Sequence, residues 1–313
     1  MTIFLSCLIF AAGIVLVVKG GDEFVDAASW LARAFGIPSF LIGATIVSLA
    51  TTMPELLVSA IAAGEGKADM AVGNAVGSVT ANLGLILAVA MLCMHAPCPR
   101  RQYGRNCALL AVVAAVLLAS CRGGSLSVPG SVLLFASFLF FMAANVRSAR
   151  REMGASSERQ KVPGKTLALK LTIFVLSAAA IVLGSRLMVN SGSDLAREFG
   201  VPERIIAVTL VAVGTSLPEL VTTITAIIKH ESALSVGNII GANIIDLSMI
   251  LPICSLVAGK PLPVSAQSLR LDIPVCLAFT LMAVVPFLVR QKASKWQGAL
   301  LLLGYGAYLV AVL

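Results

Sequence analysis

The sequence predicts an all-α integral membrane protein in which ten transmembrane helices form two inverted five-helix repeats, with helices 2 and 7 broken. Three observations lead to this prediction: the apolar composition, ten separate apolar runs, and a segment that recurs in each half. Of the 313 residues, 58% are hydrophobic and only 12% are charged, and the mean hydropathy is +0.98. In soluble domains about a quarter of the residues are charged. The composition therefore excludes an ordinary soluble domain.

Ten apolar runs are bounded by charged residues, glycines and prolines. A membrane-spanning helix needs about 20 mostly apolar residues, so the length of the chain allows about ten spans and no sizeable soluble domain. In chain order the runs are 2–18, 40–63, 71–94, 106–121, 126–146, 166–189, 203–228, 236–258, 271–289 and 297–313. Residues 22–36 alternate apolar and charged side chains, so they either continue the first helix or lie at the membrane surface.

Two features of the sequence bear on the cellular location of the protein, namely the start of the chain and the absence of glycosylation motifs. No positive charge precedes the first apolar run, as a cleaved signal peptide would require, so we expect that run to remain as helix 1. The sequence contains no N-x-S/T glycosylation motif with a permitted middle residue. These features are typical of a protein of the bacterial inner (cell) membrane.

Positive charge is distributed unevenly over the connections. Those after helices 1, 3, 5, 7 and 9 hold 16 of the 23 Lys and Arg residues, and the other connections and spans hold 7. Connections rich in Lys and Arg stay on the cytoplasmic side, so both termini are expected outside. The longest polar connection, 147–165, is predicted to be a cytoplasmic basic linker between a first five-helix repeat (1–146) and a second (166–313).

The chain contains an internal repeat. Residues 31–82 align without a gap on residues 195–246, at a constant offset of 164, and 18 of the 52 positions are identical. Because five helices separate the copies, the second enters the membrane from the opposite side. Inverted repeats with interrupted helices are typical of transporters whose ion site lies in mid-membrane, where the copies meet.

Three acidic residues, Glu55, Glu219 and Asp246, lie well inside predicted spans, and no Lys or Arg lies at a comparable depth. An ionised carboxylate near the bilayer centre costs at least about 2.5 kcal/mol unless a partner, a proton or an ion compensates it. The natural counter-charge here is a mobile cation, or protons that keep some of the groups neutral. A purely structural role is the alternative, and the repeated placement argues against it.

Each glutamate directly follows a proline, in Ala50-Thr51-Thr52-Met53-Pro54-Glu55 and in Gly214-Thr215-Ser216-Leu217-Pro218-Glu219. Because proline lacks an N–H, the carbonyls four residues earlier lose their helical hydrogen bonds, and both helices are expected to break there. Carboxylate, hydroxyl and carbonyl oxygens form a hard donor set that suits Ca²⁺ and can also bind Na⁺.

A second pair of motifs follows the two glutamates at the same spacing, Gly73-Asn74-Ala75-Val76-Gly77-Ser78 and Gly237-Asn238-Ile239-Ile240-Gly241-Ala242. The glycines let helix backbones approach closely, and we interpret Asn74 and Asn238 mainly as hydrogen-bonding residues between helices. Further along, Asn82 and Asp246 occupy equivalent positions in the two copies, so they could complete a four-membered polar ring with Glu55 and Glu219.

At these motifs the chain resembles the cation/Ca²⁺ antiporter superfamily, and more closely its prokaryotic Na⁺/Ca²⁺ exchanger branch. The resemblance covers the repeated segment in each half. It implies that Ca²⁺ and the central layer of the site use one set of residues and that Na⁺ uses backbone or side-chain oxygens of an overlapping set. The first set is Thr51, Glu55, Asn82, Thr215, Glu219 and Asp246, and the sodium set is Ser48, Thr52, Ser78, Ala212 and Ser216.

Three positions depart from the family's pattern. Ala50 replaces a glycine and Thr52 replaces a serine, while Ala242 lacks a hydroxyl expected at one sodium position. The first two departures are mild, and the hydroxyl missing at Ala242 leaves the coupling ion open. The first expectation is Na⁺/Ca²⁺ exchange by alternating access, and the alternative is an H⁺/Ca²⁺ or K⁺-dependent antiporter of the same fold.

Other classes of function are less well supported by the sequence. A two-aspartate intramembrane protease needs paired Asp residues and a zinc protease needs H-E-x-x-H, and neither is present. A channel or a structural membrane protein remains a further alternative. We therefore expect no enzyme activity, no cofactor apart from the transported Ca²⁺ and Na⁺, and no partner of nucleic acid, with the lipid bilayer as surroundings.

Overall fold

The computed structural model describes residues 3–93, 100–155, 163–201, 212–291 and 294–312, and these residues are almost entirely helical. In chain order the α-helices are α1 Ile3–Phe35, α2 Ser39–Ile42, α3 Ser48–Thr51, α4 Met53–Gly64, α5 Ala68–Ala81, α6 Ala88–Cys93, α7 Arg100–Ser120, α8 Val128–Ala155, α9 Gly164–Glu198, α10 Ala212–Thr215, α11 Leu217–Ile228, α12 Ser232–Ile245, α13 Leu251–Val257, α14 Ile273–Arg290 and α15 Lys295–Val312.

Four π-helical turns and one small pair of strands complete the described secondary structure. The π turns are Gly43–Val47, Asn82–Leu87, Asp246–Ile250 and Ser268–Asp272. Strand β1 (Ser125–Leu126) pairs antiparallel with β2 (Leu262–Pro263), which joins the loop before α8 to the loop after α13. The sequence analysis did not predict these two strands, because each is very short and the pairing is tertiary.

Seven helical spans in the described residues are long and apolar enough to cross a membrane, and the bent pair Ser39–Thr51 and Met53–Gly64 makes an eighth. The remaining predicted runs correspond to the shorter α11 and to α15, and the start of the run 203–228 lies outside the described residues. The structure therefore gives an integral membrane protein with seven to eight such spans, and the count of ten stays a prediction. Residues 22–36, whose position the sequence left open, continue the first helix within α1.

The second span is broken at Thr52, where the two halves meet at an angle of 43°. Thr52 has φ −83° and ψ 0°, and Pro54 occupies the first turn of the new helix α4. A proline is tolerated in a first turn because its missing N–H needs no partner there. Ser216 has nearly the same conformation, φ −89° and ψ 7°, before α11. The predicted breaks are therefore present at both prolines.

Helix boundaries recur at the offset of the internal repeat. Helix α4 corresponds in both its ends to α11, and α5 corresponds in both its ends to α12. A π turn begins at Asn82 after α5, and another begins at the equivalent Asp246 after α12. The two copies of the repeated segment thus share their irregularities as well as their helices. Their inverted orientation in a membrane remains a prediction.

Buried apolar side chains form two clusters. The larger one joins α4 to α8 with α12 to α15, and it surrounds the broken spans. The smaller one includes Phe24 and Phe174, whose rings stack with centroids 4.5 Å apart. It joins α1 to α9, which cross closely where Gly13 and Gly184 face each other. The long helices α1 and α9 therefore pack as a pair against the rest of the bundle.

Helix α12 lies backbone to backbone against the segment before the first break. A Cβ added at Gly237 would lie 2.3 Å from the Phe40 carbonyl oxygen, and one added at Gly43 would lie 2.3 Å from the Leu234 carbonyl oxygen. We call this contact the glycine interface. Close to it, Glu231 accepts hydrogen bonds from Arg33 and Ser39 at 3.0 and 3.3 Å. The backbones of α12 and of the segment before the first break are therefore in close contact.

The equivalent positions on α5 have no such backbone contact within the described residues. No atom of the described residues comes within 4 Å of a Cβ added at Gly73 or Gly77. Two segments of similar sequence therefore have different surroundings: one is packed against backbone, and the other borders a cavity.

This difference predicts unequal effects of two equivalent substitutions. Gly237→Ala should lower the thermal stability of the purified protein, because the added methyl group overpacks the glycine interface, which typically costs about 1–3 kcal/mol. Gly73→Ala, at the matched position, should leave stability nearly unchanged. Thermal unfolding in detergent compares the two variants, and equal melting temperatures would contradict the observed packing.

Candidate ion-binding site

Glu55 and Glu219 lie in the first turns of α4 and α11, directly after the helix breaks. Both side chains are almost completely buried, with 1% and 0% of their surface exposed. The first turn of a helix carries unpaired N–H groups and the positive end of the helix dipole, which favour a negative charge by about 0.3–1 kcal/mol. This contribution is too small to offset the burial of an ionised carboxylate.

Asp246 is the third buried carboxylate, and the three groups repel one another. The charges of Glu219 and Asp246 both act on Glu55, and that of Glu219 acts on Asp246. Within the described part of the chain, none of their six carboxylate oxygens has a partner with hydrogen-bond geometry. Buried polar groups are normally paired, so this set of oxygens indicates a place where a positive ion or protons would supply the missing partners.

The carboxylates need neutral oxygens to complete an ion site. In the described residues, no group of three His, Cys, Asp or Glu side chains is compact enough to hold a metal ion by itself. Hydroxyl, amide and backbone oxygens would therefore have to fill the remaining positions of a cation with six or more ligands.

Asn82 supplies such an oxygen, and Asn243 orients it. The Asn82 amide donates from Nδ2 to Asn243 Oδ1 at 3.1 Å, which leaves Asn82 Oδ1 buried and without a partner in the described residues. Asn243 is one helical turn before Asp246. The sequence analysis missed Asn243, since the equivalent position in the first repeat is Val79. An amide inside an apolar run was the only signal for it.

Asn74 and Asn238 connect helices, as the sequence analysis favoured. Asn74 Nδ2 donates to Ser59 Oγ at 2.9 Å and to the Glu55 carbonyl at 3.3 Å, so it joins α5 to α4. Asn238 Nδ2 donates to Thr222 Oγ1 at 3.0 Å and joins α12 to α11. These bonds hold each helix that carries a glutamate against the helix that carries the second motif.

Thr51 joins the two halves of the chain. Its hydroxyl lies 3.3 Å from Asn238 Oδ1 and 3.3 Å from the Ser48 carbonyl oxygen. The same hydroxyl faces the Glu219 carboxylate, without the geometry of an ordinary hydrogen bond. The Ser48 carbonyl also accepts the Thr52 hydroxyl at 2.7 Å and the Thr52 N–H at 3.0 Å. A cation at the Ser48 oxygen would therefore have to displace a hydroxyl group.

The other predicted residues differ in how free their oxygens are. Ser78 Oγ and Ser216 Oγ are buried and have no partner in the described residues. Thr215 is half-buried and closes the short helix α10, which Ala212 begins. Ala242 is fully buried and adds no hydroxyl. The two halves thus share a backbone plan but present different oxygens.

An open cavity of about 370 Å³ reaches this region. The site residues on its wall are Asn74, Ser78 and Thr215, and Gly73 and Gly77 lie on the same wall. The cavity thus borders the candidate site at Ser78 and Thr215, while the carboxylates are not among its lining residues.

Comparison with known proteins relates the chain to ion exchangers. The family model described as sodium/calcium exchanger protein matches residues 5–147 and again residues 169–313. The sodium/calcium exchanger MaX1 of Methanosarcina acetivorans is 31% identical over a gapped alignment of 344 positions, which covers 97% of each chain. The inner membrane protein YrbG of Escherichia coli is 35% identical over 260 residues, covering 81% of this chain and 80% of that protein.

Solved structures of the sodium-calcium exchanger NCX_Mj are also similar. A crystal soaked with Na⁺ and Sr²⁺ gives a TM-score of 0.87 at 26% identity over 99% of both chains. A crystal soaked with Na⁺ and without Ca²⁺ gives a TM-score of 0.88 at 25% identity over the whole of both chains. The architecture described above is therefore that of a known exchanger fold.

Because the carboxylates are unpaired, removing one of their charges should raise the stability of the ion-free protein. The same change should reduce the stabilisation that bound Ca²⁺ provides. Glu55→Gln and Glu219→Gln should melt at a higher temperature than the unsubstituted protein without Ca²⁺, because a buried repulsion is removed. Saturating Ca²⁺ should stabilise the unsubstituted protein, by about 2.7 kcal/mol at 100 times its Kd, and should stabilise the variants much less. Glu65→Gln, at an exposed ion pair with Lys67, serves as the control. An unchanged Ca²⁺ response in both Gln variants would exclude these residues as ligands.

Proposed function

The chain belongs to the sodium/calcium exchanger protein family, and from this premise we propose that it is a secondary-active Ca²⁺ antiporter that exchanges Ca²⁺ for Na⁺ by alternating access. Exchangers are transporters, and their Ca²⁺ and Na⁺ are transported ions rather than cofactors. One observation carries the proposal: three buried carboxylates lie next to the helix breaks and π turns, and their oxygens have no hydrogen-bond partner in the described residues.

In this proposal, the number of negative charges at the site determines how many cations are needed to neutralise it. Glu55 and Glu219 carry two negative charges, which one Ca²⁺ cancels if Asp246 holds a proton. Backbone oxygens of Thr51 and Thr215 add ligands beside each glutamate, and Asn82 Oδ1 belongs to the same layer. This mixture of carboxylate, amide and carbonyl oxygens is the coordination that Ca²⁺ prefers.

Na⁺ is proposed to use overlapping positions. Its ligands would be backbone oxygens of Ser48 and Ala212 with the hydroxyls of Thr52, Ser78 and Ser216. The free hydroxyls of Ser78 and Ser216 support this assignment. Because the ions share the glutamates, Ca²⁺ and Na⁺ compete, and exchange follows from that competition.

Coupling follows from the cost of an empty site. With no ion bound, the closed protein would bury two uncompensated charges, which costs several kcal/mol. The helices that alternate access therefore move only when the carboxylates are neutralised. Slippage, in which the empty carrier changes its open side, is suppressed by the same penalty.

H⁺ is a second candidate for the coupling ion, and Ala242 is the observation that favours it. Alanine lacks the hydroxyl that the family's pattern has at this position, so one proposed sodium position has one oxygen ligand fewer. Protons need no such oxygen, because they bind to the carboxylates directly. K⁺ is a further alternative, supported by partial similarity to the human sodium/potassium/calcium exchanger 3 over 155 residues.

The orientation in the membrane is also part of the proposal. We place both termini outside, the two five-helix repeats in inverted orientation, and residues 147–165 in the cytoplasm. The unequal distribution of Lys and Arg supports this arrangement. The name of the Escherichia coli relative, an inner membrane protein, supports the bacterial inner membrane as location.

Proteoliposomes test the function directly. An imposed Na⁺ gradient should drive ⁴⁵Ca²⁺ uptake, and Glu55→Gln or Glu219→Gln should reduce uptake more than tenfold, since a tenfold loss needs only about 1.4 kcal/mol of lost ion binding. Separate K⁺ and H⁺ gradients identify the coupling ion. Normal Na⁺-driven uptake in either Gln variant would refute the proposed site, and Ca²⁺ efflux without any counter-ion would indicate a channel.

The protonation of Asp246 has a test of its own. If this side chain keeps its proton throughout the cycle, Asp246→Asn should retain most of the Ca²⁺ transport, because the amide replaces a neutral acid of the same shape. A variant that folds normally and does not transport would show that the negative charge of Asp246 is needed.

A further inference from the structure

Asp272 is a buried carboxylate that lies outside the repeated segments and outside the site described above. It ends the π turn before α14, and only 7% of its surface is exposed. Asp272 Oδ2 accepts a hydrogen bond from Ser268 Oγ at 3.0 Å, and Oδ1 accepts one from the Tyr308 hydroxyl at 3.0 Å. Each carboxylate oxygen can accept two such bonds, so one lone pair on each oxygen remains available.

Asp272 lines the same cavity that reaches the candidate site. Gln267, Asp272 and Tyr308 form one part of its wall, and Asn74, Ser78 and Thr215 form another. Among the described residues, no Lys, Arg or His lines this cavity. Asp272 is therefore the one acidic side chain on a wall that has no basic side chain among the described residues.

The cavity extends from the surface into the bundle along α5. Met70, Asn74 and Ser78 lie on successive turns of one helix face, and this stretch of helix spans about 12 Å. Met70 is exposed at the outer end, whereas Ser78 is buried at the inner end and its hydroxyl has no partner in the described residues. An unpaired hydroxyl at the deep end indicates that the cavity ends at a place for a ligand.

We propose that Asp272, with the oxygens of Tyr308 and Gln267, forms a second cation site that Ca²⁺ or Na⁺ occupies on its way between the surface and Glu55 and Glu219. We call it the access site. This inference rests on the proposed function, because it assigns a step on the path of the same ions. A negative charge on a wall with no basic side chain among the described residues attracts cations and raises their local concentration. The ion keeps part of its water there, since the access site offers fewer protein oxygens than the central one.

Tb³⁺ luminescence tests the access site without transport. Tb³⁺ replaces Ca²⁺ at oxygen ligands and emits when a nearby tyrosine is excited, and Tyr308 lies next to Asp272. In the double variant Glu55→Gln and Glu219→Gln, which lacks both glutamate charges of the central site, Tb³⁺ should still give tyrosine-sensitised emission. Adding Asp272→Asn should abolish it, and Tyr308→Phe should weaken it. Emission that does not depend on Asp272 would overturn the proposal.

Transport kinetics provide the second test. Asp272→Asn should raise the KM for Ca²⁺ by about three- to tenfold at the face where the cavity opens and leave kcat nearly unchanged, because only the local attraction is lost. The increase should shrink as choline chloride screens the charge. Asp69→Asn, which removes a charge outside the described wall, is the matched control.

The controls separate this role from a structural one. If Asp272 only ties α14 to α15, Tyr308→Phe should be as harmful as Asp272→Asn, and both should affect the two membrane faces equally. That result, or an unchanged KM in Asp272→Asn, would overturn the access site while Na⁺-driven uptake by the unsubstituted protein still supports the proposed function. If the Glu55 and Glu219 variants lose uptake while Asp272→Asn transports normally, the central site is supported. The access site then has no role in transport.

Discussion

The carboxylates of Glu55, Glu219 and Asp246 are buried without a partner in the described residues, and this is the constraint on which the rest of the structure depends. Two of them, Glu55 and Glu219, sit in the first turns of helices that begin inside the bundle, and the helix breaks exist because a proline stands one residue earlier. The neighbouring amides do not donate to the carboxylate side chains. Asn74 and Asn238 use their N–H groups between helices instead. The protein thus keeps negative oxygens unpaired and holds the helices around them in place with other groups.

Much of this arrangement could be predicted from the sequence, because its determinants are local. Proline cannot donate the helical hydrogen bond, so Pro54 and Pro218 each favour a helix break, and a repeat at a constant offset predicts equivalent helix boundaries. The structure confirms the breaks at Thr52 and Ser216. The continuation of α1 through residue 35 was left open, because its charged residues fit both a helix end and a surface helix. The roles of Asn74 and Asn238 followed from their position beside small residues.

Other features depend on contacts between distant residues. Asn243 orients Asn82 across the two halves, and nothing at the matched position Val79 signals this. The Ser48 carbonyl is occupied by hydroxyls of Thr51 and Thr52, which only the three-dimensional conformation of the break reveals. The position of Asp272 on the cavity wall depends on how α14 packs against α5 and α15. These are tertiary effects, and neither composition nor periodicity contains them.

The glycine interface has a consequence for the other conformation of the protein. Residues of one segment pack against backbone where their counterparts in the other segment have no such contact within the described residues, although both carry Gly-Asn-x-x-Gly. The same chemistry is therefore compatible with both arrangements. Exchanging the backbone conformations of the two segments would produce a molecule that is closed at Gly73 and open at Gly237. Under the alternating access proposed above, this exchanged arrangement is the other conformation of the protein.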